Sequence, residues 1–105
     1  MNSVRSRAII GADGAVSGVA RQFLKDADRV PFVFAYHEIV ESPDENHKDF
    51  GAARCDVYYR GTLSPDFYAW IFPHGATTSI GTGSANKGFS LKGSVAELRA
   101  ETGLD

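Results

Sequence analysis

The spacing of apolar positions changes several times along the chain, and each change marks an element. Arg7 to Gly11 carries two adjacent isoleucines and reads as a short buried strand. From Ala15 the period becomes helical, with Val16, Val19, Ala20, Phe23, Leu24 and Ala27 recurring on one face. That helix is expected to end near Asp28, because Val30 precedes Pro31 and the residue before a proline resists the helical region. Phe32 to Glu41 is rich in aromatic and β-branched residues and predicts a long strand. A polar loop, Ser42 to Lys48, leads to a strand over Ala53 to Arg60 and a turn over Gly61 to Asp66.

Phe67 to Phe72 alternates: Tyr68, Trp70 and Phe72 point to one face, Phe67, Ala69 and Ile71 to the other. Pro73-His74-Gly75 is the expected hairpin turn and Thr77 to Thr82 the returning strand, with Gly81, Gly83 and Gly88 loosening its exit. A tail helix follows from Ser90, with Leu91, Val95 and Leu98 on one face and Gly103 as its stop. Ser94 and Glu97 can also form a capping box, which would start the helix there instead. The order is strand, helix, four strands paired antiparallel, helix, an α+β class.

Composition narrows this picture. A chain of 105 residues with 43% hydrophobic and 23% charged residues has room for one soluble core and not two. A net charge of −2 with scattered Lys and Arg leaves no electrostatic footprint for nucleic acid. The single Cys55 excludes an internal disulfide, fits a reducing compartment and reads as a buried small hydrophobe. Residues 1–7 hold no apolar segment of a secretory signal, and Pro31 to Tyr36 is far too short to span a bilayer. A cytoplasmic protein is expected.

Candidate chemistry is sparse. Gly11-Ala12-Asp13-Gly14 with Ser17 looks like a strand delivering an acid to a glycine turn that opens a helix. Such turns hold phosphate or ribose groups, because glycine admits close approach and the helix start presents free N–H groups. The alternative reading is a plain strand-to-helix turn in which Asp13 only satisfies a nearby N–H. A G-x-G-x-x-G partner is not expected upstream, since eight residues precede Ile9. Gly83 and Gly88 have phosphate-loop spacing, but Phe89-Ser90 stand where Lys-Ser/Thr belongs. Thr77 to Gly81 lacks the first glycine of a nucleophile elbow. His37, His47, His74 and Cys55 show no metal-ligand spacing, so no metal is expected. The stripe Tyr68, Trp70, Phe72 is either core packing or the floor of an apolar pocket.

Two of these segments carry a resemblance. Gly11-Ala12-Asp13-Gly14-x-x-Ser17 resembles the second nucleotide-binding motif of the flavoprotein hydroxylase/reductase superfamily. "SPDFYAWIFPHGATTSIGTGS", Ser64 to Ser84, resembles the Tyr-x-Trp-x-Phe-Pro segment of geranylgeranyl reductases. "VPFVFAYHEIV", "ARCDVYYRGTLSPDFYAW" and "KGFSLK" are similar to the geranylgeranyl reductases of (bacterio)chlorophyll biosynthesis.

The resemblance runs from about Arg5 to Asp105 and implies the central part of a larger two-domain FAD/NAD(P)-binding fold. Residues 1–29 would close a Rossmann-like FAD domain, and residues 30–105 would form part of an antiparallel substrate-binding sheet with a terminal helix. The implied activity is NADPH-dependent reduction of geranylgeranyl double bonds to phytyl, with FAD as hydride carrier. The implied substrates are a geranylgeranyl-bearing (bacterio)chlorophyll or geranylgeranyl diphosphate, met at the periphery of a photosynthetic membrane. Gly11, Asp13, Gly14 and Ser17 become cofactor-binding residues, and Tyr68, Trp70, Phe72 and Pro73 the substrate-pocket wall. The proton donor is not identified, and this chain alone is expected to be inactive. Two alternatives stay open: another flavin-dependent reductase or hydroxylase of the superfamily, such as an archaeal-type prenyl lipid reductase, or a non-catalytic module binding an apolar ligand.

Overall fold

A computed structural model describes residues 1–104, which divide into two compact units, residues 1–31 and 32–104. In the first unit the expected strand at Arg7 to Gly11 is not formed. Ile9 and Ile10 stand 60% and 90% exposed with no ladder partner among the described residues, and a strand without a partner is not a stable element. The helix is also shorter than its apolar spacing predicts: α1 spans Gly18–Phe23, with a 3-10 turn at Ala27–Arg29 after it. Ser17 caps α1, its hydroxyl accepting from the Ala20 N–H, so the start moves from Ala15 to Gly18. None of the six residues is buried. A short helix without a packed face has little to sustain it, and the backbone leaves the helix at Leu24.

The second unit is a four-stranded antiparallel sheet with one helix across it. Strands β1 (Phe34–Glu41), β2 (Asp56–Tyr58), β3 (Ala69–His74) and β4 (Thr77–Ser84) are arranged β1-β4-β3-β2. Helix α2 (Leu91–Thr102) follows. Only Asp56–Tyr58 of the expected Ala53 to Arg60 strand pairs, since Arg54 instead closes a turn on the Asp49 carbonyl and the Asp56 carboxylate. Cys55 beside it is exposed rather than buried.

The hairpin turn also sits later than expected. β3 runs through Pro73 and His74, and the connection is the pair Gly75-Ala76 between His74 and Thr77. Gly75 has φ +70°, the positive angle that a II′ turn requires at its first central position. Bonded and non-bonded pairs alternate back from the closing pair His74–Thr77, so Pro73 opposite Thr78 is a non-bonded site. Its missing N–H therefore points to an edge that β2, which begins opposite Ile71, does not reach.

One sheet face carries the core. Val40, Ala69, Ile71 and Ile80 pack with Val95 and Leu98 of α2 and with Leu63 and Leu104. Ser90 caps α2 by accepting from the Gly93 N–H, and Gly103 ends it at φ +67°. Ser94 lies inside the helix and donates to the Leu63 carbonyl, so it is not the cap. Arg99 of α2 pairs with Glu38 of β1 at 2.5 Å, both side chains about a quarter exposed.

Polar side chains tie the segment before β3 to the end of β4. Thr82 donates to the Leu63 carbonyl and Ser64 to the Gly83 carbonyl. Asp66 accepts from the Ser84 hydroxyl and the Ala85 N–H. These two bonds, the Ser84 hydroxyl first, hold its carboxyl below the ordinary carboxylate range. A carboxyl lowered on folding stabilises fully above its unfolded value of about 3.9, and that contribution drains away as pH falls through the folded value. Asp66→Asn should therefore lose stability near neutrality and unfold less steeply in acid than the parent. Urea midpoints measured across the acid range check this; parallel acid profiles for the two proteins would refute it.

Candidate functional site

The face of the sheet away from α2 is lined by the aromatic stripe. Ala69 and Ile71 are buried on the α2 side, whereas Trp70 and Phe72 are only half-buried on the other. Tyr68, Trp70 and Phe72 follow one another at ring separations of 6.0 and 5.8 Å, the last pair stacked. Among the described residues the stripe lies outside the core that α2 covers. Phe67 departs from the expected alternation: it precedes β3, is freed from the pleat, and stacks on Tyr68 at 4.2 Å. Pro73, the other residue expected in the pocket wall, continues the strand half-buried but on the α2 side with Ala69 and Ile71, so it is not brought to the trough. The four rings floor a shallow trough of about 420 Å³, with Val33, Ala35 and His37 along its β1 side. An apolar lining with few polar groups is the usual character of small-molecule sites.

Two residues of β4 make the trough possible, and neither loosens the chain as their glycine content suggests. Gly81 and Gly83 are paired strand residues, Gly81 between His37 of β1 and Trp70 of β3, Gly83 opposite Ala35. A Cβ at Gly81 would lie 2.5 Å from Trp70 Cε2 and 2.8 Å from His37 Cβ, and one at Gly83 3.0 Å from Phe67 Cδ1. The missing side chains are the space that the rings fill. Beside Gly81, Ser79 is buried and meets two side chains: Trp70 Nε1 donates to its hydroxyl at 3.1 Å, and His37 Nδ1 lies 3.0 Å from the same oxygen. Reasoning from sequence missed His37, Ser79, Gly81 and Gly83 as site residues. The signal was present as small residues at 79, 81 and 83, alternating opposite aromatics at 72, 70 and 68.

The glycine turn of the first unit is built around one carboxylate. Asp13 Oδ1 accepts from the Ser17 hydroxyl, and Oδ2 accepts from the Gly18 N–H at 2.8 Å and the Val19 N–H at 3.3 Å. The Ser17 hydroxyl, then the Val19 N–H, hold the Asp13 carboxyl below its ordinary range, so it is ionised at neutral pH. Gly14 has φ +83° and open space around its α-carbon, while a Cβ at Gly11 would press on Val19 Cγ1 at 3.0 Å. Gly11, Asp13, Gly14 and Ser17 are thus brought together as one structure, in which Asp13 and Ser17 already occupy the first N–H groups of α1.

Known proteins resemble the chain along most of its length. The geranylgeranyl diphosphate reductase of Rhodobacter capsulatus is 49% identical over 100 residues, which is 95% of this chain and 25% of that protein. The chloroplastic geranylgeranyl diphosphate reductase of Oryza sativa is 39% identical over 73% of the chain and 16% of its own length. A digeranylgeranylglycerophospholipid reductase of Methanocaldococcus jannaschii is 30% identical over 80% of the chain and 21% of its own length. The chain therefore spans about a quarter or less of these curated relatives. No family model matches it, and no solved structure does. No helix among the described residues is long and apolar enough to cross a membrane.

Gly81→Ala should push the indole out of its place, because the new methyl needs the space that Trp70 holds. Overpacking of this kind costs roughly 1–3 kcal/mol. Trp70 is the one tryptophan of the chain, so its emission reports the event directly. The expected result is a red shift with a lowered melting temperature, and an unshifted spectrum would mean that the glycine is not what seats the ring.

Proposed function

We propose that this chain, homologous over nearly all its length to geranylgeranyl diphosphate reductases, supplies the prenyl-binding wall of such an enzyme. The observation that carries the reading is the aromatic trough of Tyr68, Trp70, Phe72 and Phe67 on the sheet face that α2 leaves open. An isolated carbon–carbon double bond has no polar handle. It can be held only by apolar surface, and its reduction needs a site from which water is excluded. Tyr68, Trp70 and Phe72 extend the floor along the strand, while Pro73, on the α2 side with Ala69 and Ile71, lies outside it. The rings fix the position of the double bond relative to the hydride donor, which removes part of the barrier by placing the reacting atoms in line.

The proposed cofactors are FAD and NADPH, and the proposed fold is the end of a Rossmann-like FAD domain followed by the substrate sheet. The glycine turn fits part of a dinucleotide. The ionised Asp13 keeps one acceptor position free, on Oδ1, for a ribose hydroxyl, and Gly14 leaves room for close approach. The phosphates find no free N–H at the first residues of α1, where Asp13 and Ser17 are already bound. A bound flavin supplies the hydride chemistry; Gly11, Asp13, Gly14 and Ser17 would hold its nucleotide end or that of NADPH. The proposed substrate is a geranylgeranyl chain, carried by the diphosphate or by a (bacterio)chlorophyll at a photosynthetic membrane.

The reading is tested by replacing the matching quarter of the Rhodobacter capsulatus reductase with this chain. The chimera should reduce geranylgeranyl diphosphate, and Trp70→Phe in it should cut turnover while the protein stays folded, since the ring lines a trough and is not sealed in the core. An unchanged rate with a sharply lower melting temperature would show that Trp70 serves packing only. Titrating the chain by itself with FAD should give no stoichiometric binding in the micromolar range, because the turn offers a nucleotide no cradle for its phosphates. Tight binding, read by flavin fluorescence, would contradict that assignment.

A further inference from the structure

The trough contains a polar cluster, and one hydrogen-bond arrangement pairs all its groups with one another. Trp70 Nε1–H is a donor and nothing else, so the Ser79 hydroxyl oxygen accepts from it at 3.1 Å. Ser79 has one hydrogen left to give, and His37 Nδ1, 3.0 Å away, is its other partner among the described residues. If His37 donated from Nδ1, that hydroxyl hydrogen would be stranded on a residue only 6% exposed, which is costly. The arrangement that satisfies every group runs Trp70 to Ser79 to His37, with the imidazole accepting at Nδ1 and carrying its proton on Nε2.

This chain of bonds crosses three strands. Trp70 and His37 flank Gly81 on neighbouring strands, and both lean two residues along β4 to reach Ser79. Glycine puts no side chain under the indole, so its angle is not set from the β4 backbone, and Tyr68 and Phe72 bound it only on its two flanks. Something must fix it. We infer that Ser79 and His37 are positioning residues that lock the Trp70 indole in one orientation over Gly81. The inference rests on the reading of the trough as a prenyl site for its consequence, but the locking itself is a property of the ligand-free chain. A net bond of ordinary strength biases one ring orientation over its rivals by roughly 2- to 12-fold, enough to separate an ordered wall from a mobile one.

The experiment uses the near-ultraviolet circular dichroism and fluorescence anisotropy of Trp70, the sole tryptophan, in the free chain. Ser79→Ala should lose most of the sharp indole dichroism and lower the anisotropy, with little change in melting temperature. His37→Phe, which keeps a ring but no acceptor, should show a smaller loss of the same kind. His37→Asn places an amide oxygen near the position of Nδ1 and should recover the parental bands. Parental spectra in Ser79→Ala overturn the inference. So does a loss in Ser79→Ala that merely tracks a fall in melting temperature, or a His37→Asn spectrum no better than that of His37→Phe. None of these readouts involves a prenyl ligand. A failure of the prenyl reading would appear as a chimera without turnover, beside an indole that still loses its order in Ser79→Ala.

Discussion

The register between β3 and β4 is the constraint from which the rest of the second unit follows. Gly75-Ala76 closes the hairpin with His74 opposite Thr77, and from that pair the strands run in step to Ala69 opposite Thr82. Side chains in a strand alternate faces, so a slip of one residue would exchange the two faces completely. Ala69, Ile71 and Ile80 would then turn away from α2, and Trp70 would face a side chain in place of Gly81. A two-residue turn that needs a positive φ at its first position, and has glycine there, fixes the choice.

The register divides labour between the faces. The α2 side is a sealed apolar layer in which Ile80 and Leu98 are fully buried, with the Glu38–Arg99 pair at its margin. The other side is shaped by absence: Gly81 and Gly83 remove side chains so that rings from the neighbouring segments can occupy their space. The cost of such glycines in a strand is conformational entropy and lost packing. Part of it is offset by the bonds from Ser64, Asp66 and Thr82, which stitch the segment before β3 to the end of β4. A rigid scaffold under an open aromatic surface is what a site for a long apolar chain requires, because such a chain brings no charge with which to orient itself.

The two candidate sites differ in what their chemistry still has to offer. The trough presents ring faces and two polar groups, Ser79 and His37, that are turned toward Trp70. The glycine turn spends most of its donors internally, with the Asp13 carboxylate serving as the anion that a helix start prefers. The first site fits an apolar ligand as it stands. The second has little left to offer a ligand beyond one carboxylate acceptor position and the open backbone at Gly14.

Much of this was legible in the chain itself. Local chemistry decided where it acts alone: the alternation of Ala69, Trp70, Ile71 and Phe72, the Ser90 cap and Gly103 stop of α2, and the resemblance carried by Ser64 to Ser84. Spacing overstated the first unit, because Ile9, Ile10 and the apolar face from Val16 to Ala27 give period without partners, and a period stabilises an element only when another surface covers it. The hairpin ended two residues later than Pro73 implied, since whether a proline interrupts a strand depends on which side its missing N–H faces, and that is set by pairing. Cys55 lay exposed because burial belongs to a position in the assembled sheet and not to a residue type. The Trp70–Ser79–His37 cluster was beyond any reading of the chain by itself: its members lie 42 and 9 residues apart, and only the register of three strands brings them over the same glycine.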